Sequence, residues 1–265
     1  MYSAFQLAKK YFNYYFIAQN GKAHGMHSPF VFDFIIHVLN DKKKYDCYSK
    51  IEPLRKKLLD NCEIIEVEDF GAGSAVIPFK NRVVKDIAAS SLKKEKYAQL
   101  IFRIAKYYQS KTIVELGTSF GITTCYLSSG NSDSKVFTLE GAHNIAKIAL
   151  QNFEEGGLKN IELIEGNFEK TLSFLNGKIE NIDLLFIDGN HRKKATLEYF
   201  DLFFRKSNGH SIFIFDDIHW SQEMEEAWKL IQQNDSVTMT IDLFFIGLVF
   251  FNKDFKAKQH FTIRF

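Results

Sequence analysis

The run Thr112-Ile-Val-Glu-Leu-Gly-Thr-Ser-Phe-Gly121 constrains this chain more than any other segment. Its opening residues are apolar and partly β-branched, as in a buried strand. They run through Glu115 into Gly117 and Gly121, and the pattern then turns helical. A strand that ends in a glycine loop and opens a helix suits a nucleotide-like ligand. Gly117 lets the backbone approach without a Cβ in the way, and amides at the start of the next helix point at whatever anion sits there. Dinucleotide folds ask for Gly-x-Gly-x-x-Gly. Here the pattern is Glu-x-Gly-x-x-x-Gly, with Ser119 at the place of the middle glycine.

Four further apolar runs end in polar groups. Lys135-Val-Phe-Thr-Leu-Glu140 closes on an acid 25 positions after Glu115, leaving room for a loop, a short helix over 123–129 and a strand. A carboxylate there can accept hydrogen bonds from both hydroxyls of a ribose. Residues 160–167 are expected to form a third strand. Ile182-Asp-Leu-Leu-Phe-Ile-Asp188 leads into Gly189-Asn190-His191, and His210-Ser-Ile-Phe-Ile-Phe-Asp216 leads into Asp217. Open parallel sheets bind ligands at the carboxyl ends of their strands. Helices are expected over 142–153 and 193–206, the latter ended by Asn208-Gly209, and from Ser221 through Trp228 to Ile231. Two tightly linked strands, 237–242 and 245–251, should close the fold. The alternation predicts right-handed crossovers and a parallel sheet.

Over about residues 90–252 the glycine loop, Glu140 and this order of strands resemble the class I S-adenosylmethionine-dependent methyltransferases. The resemblance implies an α/β fold with a doubly wound, mostly parallel seven-stranded sheet of the Rossmann-like methyltransferase type, carrying an N-terminal, mainly helical cap. S-adenosyl-L-methionine is the implied cofactor and O-methylation of a small molecule the implied activity. Glu115 would help place the methionine moiety, and Gly117, Thr118, Ser119 and Gly121 would form the loop beneath the cofactor. Glu140 with Gly141 would hold the ribose and Asn167 the adenine edge, where the family more often has an acid. Asp188 completes the implied cofactor-binding set.

The carboxylates of Asp188, Asp216 and Asp217 crowd two neighbouring strand ends, and a hard divalent cation, Mg2+ or another, would relieve their repulsion. Metal-dependent O-methyltransferases of the catechol and macrolide-sugar types carry acids at these strand ends. The present chain departs from the catechol type in having Asp-Asp for Asp-Asn, and in having Asn190 where related enzymes have an acid. In a bland alternative, Asp188 and Asp216 cap strand ends and His219 lies at the surface. His191, three residues past Asp188, is the first candidate for a general base, with His24 and His27 behind it. A basic run, Arg192-Lys193-Lys194, is a candidate for holding an anionic acceptor. Competing readings are a non-catalytic S-adenosylmethionine or nucleotide binder, a nicotinamide-dependent reductase, and a methyltransferase acting on RNA or protein; no Asn-Pro-Pro-Tyr-like tetrapeptide supports the last.

Residues 1–85 lack the strand–helix alternation and are expected to form a substrate-selecting cap on a catalytic domain of residues 86–265. Phe5, Ala8, Phe12, Tyr15 and Phe16 recur at helical spacing. Ser28 and Pro29 suit the cap and first position of a helix carrying Phe30, Phe34, His37 and Val38. A further helix is expected over 53–61, and one after Ser91 with Tyr97, Leu100, Ile101, Ile104 and Tyr108 on one stripe. The N-terminal helices are apolar enough to require packing on the catalytic domain, and the aromatic first helix offers a homodimer surface. Glu68-Asp-Phe-Gly-Ala-Gly-Ser74 is a second glycine motif, but Pro78 follows it and no helix does; it is expected to be a loop or lid over 68–75.

With 34 Lys+Arg against 32 Asp+Glu, the net charge of +2 provides no broad basic face for nucleic acid. Three widely spaced cysteines suggest reduced thiols in a cytoplasmic protein. The N-terminus does not read as a signal peptide, and no apolar run approaches the ~20 residues of a membrane span.

Overall fold

The structure, a computed structural model, describes residues 1–23, 25–67 and 81–265. His24 and the second glycine motif with its expected lid lie outside the described residues. The chain is an α/β protein with a mostly parallel central sheet of eight strands. It divides into two compact units, residues 41–178 on the one hand and residues 1–40 with 179–265 on the other.

Helix α1 spans Ala4–Ile17 and starts in a capping box. The Ser3 hydroxyl accepts from the Gln6 amide, and the Gln6 side chain accepts from the Ser3 amide. Helix α2, Pro29–Phe34, begins as expected, with the Ser28 hydroxyl over the Val31 amide, then widens into a π-helical turn, Ile35–Leu39. The stripe expected to pack inward on α1 faces outward instead: Phe5, Ala8, Phe12, Tyr15 and Phe16 are all exposed. Tyr14 is the buried residue of α1. Together with Ala18 it clusters with Phe244, with Leu7 packed alongside. Spacing alone could not choose between two apolar faces.

In the unit of residues 41–178, helix α3 spans Asp46–Asp60 with Pro53 inside it. The helix expected over 53–61 therefore starts seven residues earlier. Here the buried row Ile51, Leu54, Leu58 offsets the hydrogen bond that Pro53 cannot donate. Strands β1, Ile64–Glu66, and β2, Asn81–Val83, pair antiparallel, and helices α4, Val84–Ser91, and α5, Glu95–Tyr107, follow. The alternating part runs β3 (Thr112–Leu116), α6 (Ile122–Gly130), β4 (Lys135–Glu140), α7 (His143–Glu155), β5 (Ile161–Glu165) and α8 (Phe168–Lys178). Strands β3, β4 and β5 are parallel, in a register that sets Glu115 beside Thr138 and Glu140 beside Glu165. Leu54, Ile87, Phe102, Tyr126 and Phe153 join helices α3 to α7 in one apolar cluster.

The other unit continues with β6 (Ile182–Ile187), α9 (Lys193–Phe204), β7 (Ser207–Asp216), α10 (Gln222–Gln233), β8 (Met239–Asp242), β9 (Ile246–Phe250) and β10 (Gln259–Thr262). Its strands lie in the order β6-β7-β9-β8-β10. The β8–β9 pair is antiparallel, as the tail pattern indicated. Two expectations fail here. Asn208-Gly209 lies within β7 and does not terminate α9. The sheet has eight strands and not seven, because the short, polar β10 adds in parallel to β8. Gly247 of β9 is required by packing: a Cβ there would sit 2.6 Å from the Trp228 ring.

Candidate functional site

The loop after β3 holds three left-handed residues in five, Gly117 (φ 99°), Ser119 (φ 48°) and Gly121 (φ 78°). The amides of Gly117 and Thr118 both donate to the Leu139 carbonyl at 3.1 Å, which ties the loop to β4. The Ser119 amide donates to Oε2 of Glu140 at 2.8 Å, and the Ala142 amide to Oε1 at 3.0 Å. Two amides from opposite sides of the crevice thus fix one carboxylate. Burial pushes the Glu140 pKa up, while the amides of Ala142, Ser119 and Gly141 pull it down. Ser119 takes the positive φ that a middle glycine would otherwise supply. Its hydroxyl lies 2.8 Å from that of Ser91 at the end of α4, a partner that sequence gave no means of finding.

Gly121 serves packing. A Cβ there would fall 2.4 Å from the Phe153 ring and 3.2 Å from the Ala149 Cβ. Glu115 is completely buried. Its Oε2 accepts from the hydroxyls of Thr124 and Thr138, the Thr138 hydroxyl also lies 2.6 Å from that of Thr118, and Oε1 has no hydrogen-bond partner among the described residues. Burial pushes the Glu115 pKa up to about 7; the two threonine hydroxyls oppose the rise and the charge of Glu140 adds to it. Asn167 is exposed ahead of α8, where its carbonyl accepts from the amides of Lys170 and Thr171. The preceding Gly166 donates its amide to the Glu140 carbonyl at 2.9 Å.

In the other unit, potential ligand atoms of Asp188, His191 and Asp216 lie within 4.8 Å of one another. Asn190, at φ 50°, turns the chain back after β6, leaving His191 Nε2 3.7 Å from Asp188 Oδ1 and the imidazole 5.3 Å from the Trp220 ring. Asp217 is not in this group. Its amide donates to the Phe245 carbonyl, and it lines a small cavity with Leu7, His219, Trp220, Phe244 and Phe245. His191 therefore stands where Asp217 was expected. Two adjacent residues seldom point into the same crevice, and the left-handed turn at Asp217 separates it from Asp216.

His219 is held inside the unit. Nε2 is 2.8 Å from Asp242, Nδ1 is 3.1 Å from Glu225, and the ring stacks on Phe244. Burial disfavours its charged form, but the two carboxylates outweigh this and raise its pKa. His27 is exposed ahead of α2. In the basic run, Lys193 pairs with Glu226 and Lys194 with Glu198.

A mostly parallel sheet with an amide-fixed acid at the end of its second parallel strand defines a Rossmann-like methyltransferase fold. Residues 114–218 match the family described as methyltransferase domain. The chain is similar to O-methyltransferase imqG of Aspergillus flavus, 29% identical over 130 residues that make up 47% of this chain and 49% of the relative. The chain thus spans about half the length of that curated relative. Among solved structures it resembles the O-methyltransferase of Bacillus cereus in complex with S-adenosylhomocysteine (TM-score 0.56, 19% identity, 79% of this chain and 92% of that one). It also resembles TomG of Streptomyces achromogenes in complex with S-adenosylmethionine (TM-score 0.57, 16% identity, 84% and 95%). At these identities the structures establish a shared fold. That fold is the Rossmann-like methyltransferase fold, and residues 114–218, which match the methyltransferase-domain family, lie within it.

Proposed function

We propose that this protein transfers a methyl group from S-adenosylmethionine to a hydroxyl of a small molecule. The observation that carries the reading is the Glu140 carboxylate, held by the amides of Ser119 and Ala142 with lone pairs to spare for two ribose hydroxyls. The names of the relatives, and the cofactor or its product bound in the similar structures, support it.

Bound S-adenosylmethionine supplies a methyl group already activated on a sulfonium. What remains for the chain is alignment and proton removal, and alignment alone can contribute ~7–11 kcal/mol. Glu140 and Gly141 orient the ribose, and Asn167 meets the adenine edge. Gly117, Thr118, Ser119 and Gly121 shape the backbone beneath the methionine part. Glu115 acts from within, holding Thr124 and Thr138. His191 accepts the proton of the acceptor hydroxyl, with Asp188 beside it.

A second reading of the same group makes Asp188, His191 and Asp216 a donor set for a divalent cation, with His191 then a ligand and not the base. One imidazole and two carboxylates suit Mn2+, which takes a nitrogen ligand more readily, better than Mg2+, which favours an all-oxygen shell. Residues 1–85 choose the acceptor. The protein acts in the cytoplasm as a homodimer, in keeping with its free cysteines; no helix of the described residues is long and apolar enough to cross a membrane.

Calorimetry with S-adenosylhomocysteine tests the reading. Wild-type protein should bind, and Glu140→Ala should weaken binding by roughly tenfold or more, as loss of charge-assisted hydrogen bonds worth about 1.5–3 kcal/mol requires. Absence of heat with the wild type would refute the proposal.

A further inference from the structure

Helix α1 is apolar on two sides, and among the described residues the outer one is covered only at Tyr15, where the Arg264 guanidinium lies 4.5 Å from the ring. The inner side sets Tyr11 and Tyr14 5.0 Å and 5.2 Å from the Phe244 ring. On the outer side, Phe5 is 80% exposed, Phe12 65%, Tyr15 48%, Phe16 64% and Ile17 68%. Phe5, Ala8, Phe12 and Tyr15 stand at i, i+3, i+7 and i+10, the a/d spacing of a seam between two helices.

Soluble monomers rarely expose an apolar patch beyond about 300–600 Å2. Aromatic side chains bury about 150–250 Å2 each, so at these exposures the outer face offers on the order of 500–600 Å2. Two such faces together reach the ~1,000 Å2 that a specific interface needs. A membrane-surface helix would instead need a basic rim. Of the two lysines on α1, Lys10 is committed to Glu225 at 2.9 Å, which leaves Lys9 and, from outside the helix, Arg264 over the Tyr15 ring, two cations against five large apolar side chains.

The face is also rigid. Besides the capping box, the Tyr2 hydroxyl donates to Glu225 at 2.8 Å, the Tyr2 amide donates to the Trp220 carbonyl, and the Tyr14 hydroxyl donates to the Ile263 carbonyl. A surface already ordered loses little entropy on association.

We propose that the outer face of α1 packs antiparallel on α1 of a second copy, about a two-fold axis. The seam is self-complementary in that arrangement. Phe12 of one copy lies over Ala8 of the other, large against small, and Phe5 meets Tyr15 and Phe16. This deepens the homodimer of the functional reading and is independent of methyl transfer.

Sedimentation velocity on the full chain at micromolar concentration tests it, with Phe12→Glu as the variant. Its fold is checked by circular dichroism and by S-adenosylhomocysteine binding. Wild-type protein should sediment as a dimer, and Phe12→Glu should raise the dimer dissociation constant at least 100-fold. An Ala8→Cys/Phe12→Cys double variant in a Cys62→Ser background should form a disulfide-linked dimer under mild oxidant. A wild-type dimer that Phe12→Glu leaves intact would overturn the α1 interface and keep the homodimer. A wild-type monomer, including one that binds vesicles of phosphatidylcholine and phosphatidylserine, would overturn both. Neither result bears on cofactor binding.

Discussion

The Ser119 amide reaches Oε2 of Glu140 across 2.8 Å, and this bond decides which way the carboxylate faces. A backbone group makes it, so the side chain at 119 is replaceable. Ser119→Gly keeps the amide and removes the cost of a left-handed φ, while losing the contact with Ser91. Affinity for S-adenosylhomocysteine should stay within about threefold of wild type, a difference of ~0.6 kcal/mol. Ser119→Val, β-branched at φ 48°, should lower stability by about 1–2 kcal/mol. A tenfold loss of affinity in the glycine variant by calorimetry would shift the role from the amide to the hydroxyl.

Gly121 makes the opposite case. The added Cβ of Gly121→Ala meets the Phe153 ring at 2.4 Å, in a backbone conformation that already disfavours a side chain. Overpacking and strain together should cost about 2–4 kcal/mol in urea denaturation. Phe153→Leu should recover part of that loss in the double variant, since the two changes share one space. Purely additive losses would mean that the ring is not what demands glycine there.

The parts of the site legible in sequence were those carried by local order. Glu140, Asp188 and Asp216 all emerge at or just past strand ends, because an apolar run terminated by an acid is a local pattern that a parallel sheet converts into a common edge. The interior setting of Glu115 is not legible, since Thr138 lies 23 positions away and becomes a partner only through the β3–β4 register, while Thr124 reaches it from α6, nine positions on, once that helix packs on the strand. Ser91 was hidden for the same reason. The orientation of α1 failed differently: both of its faces are aromatic, and nothing within the helix says that Phe244 would claim Tyr14 and leave Phe12. Strand β10 is not legible in the sequence because Gln259-His-Phe-Thr262 is too short and polar to stand out as a strand without its neighbour.

The burial of Glu115 has a consequence for stability. Its folded pKa of about 7 lies above the ordinary 4.5, so the native state binds a proton more tightly than the unfolded chain does. The resulting stabilisation is fully present below the ordinary pKa and is lost as pH rises through 7. Glu115→Gln keeps an acceptor for the two threonines and cannot ionise. Between about pH 5 and 8, the melting temperature of the wild type should therefore fall relative to that of Glu115→Gln. Parallel profiles for the two proteins would show that Glu115 keeps one protonation state across that range.

Asp217 and His191 offer the sharpest test of the second site, because sequence and structure choose differently between them. The sequence grouped Asp217 with Asp188 and Asp216 as three carboxylates. In the structure, Asp217 lines the cavity beside Leu7 and Phe244, and the group closes on His191 instead. An imidazole in the donor set favours Mn2+ over Mg2+. Calorimetric titration in the presence of S-adenosylhomocysteine should give heat with Mn2+, weaker heat with Mg2+, near-wild-type Mn2+ binding in Asp217→Asn, and at least a tenfold loss in both His191→Ala and Asp216→Asn. If Asp217→Asn loses binding while His191→Ala retains it, the three-carboxylate set is correct. If no variant binds differently because the wild type binds no ion, His191 is left to act as the general base, and His191→Ala should then lower turnover by about 100-fold or more with cofactor affinity unchanged.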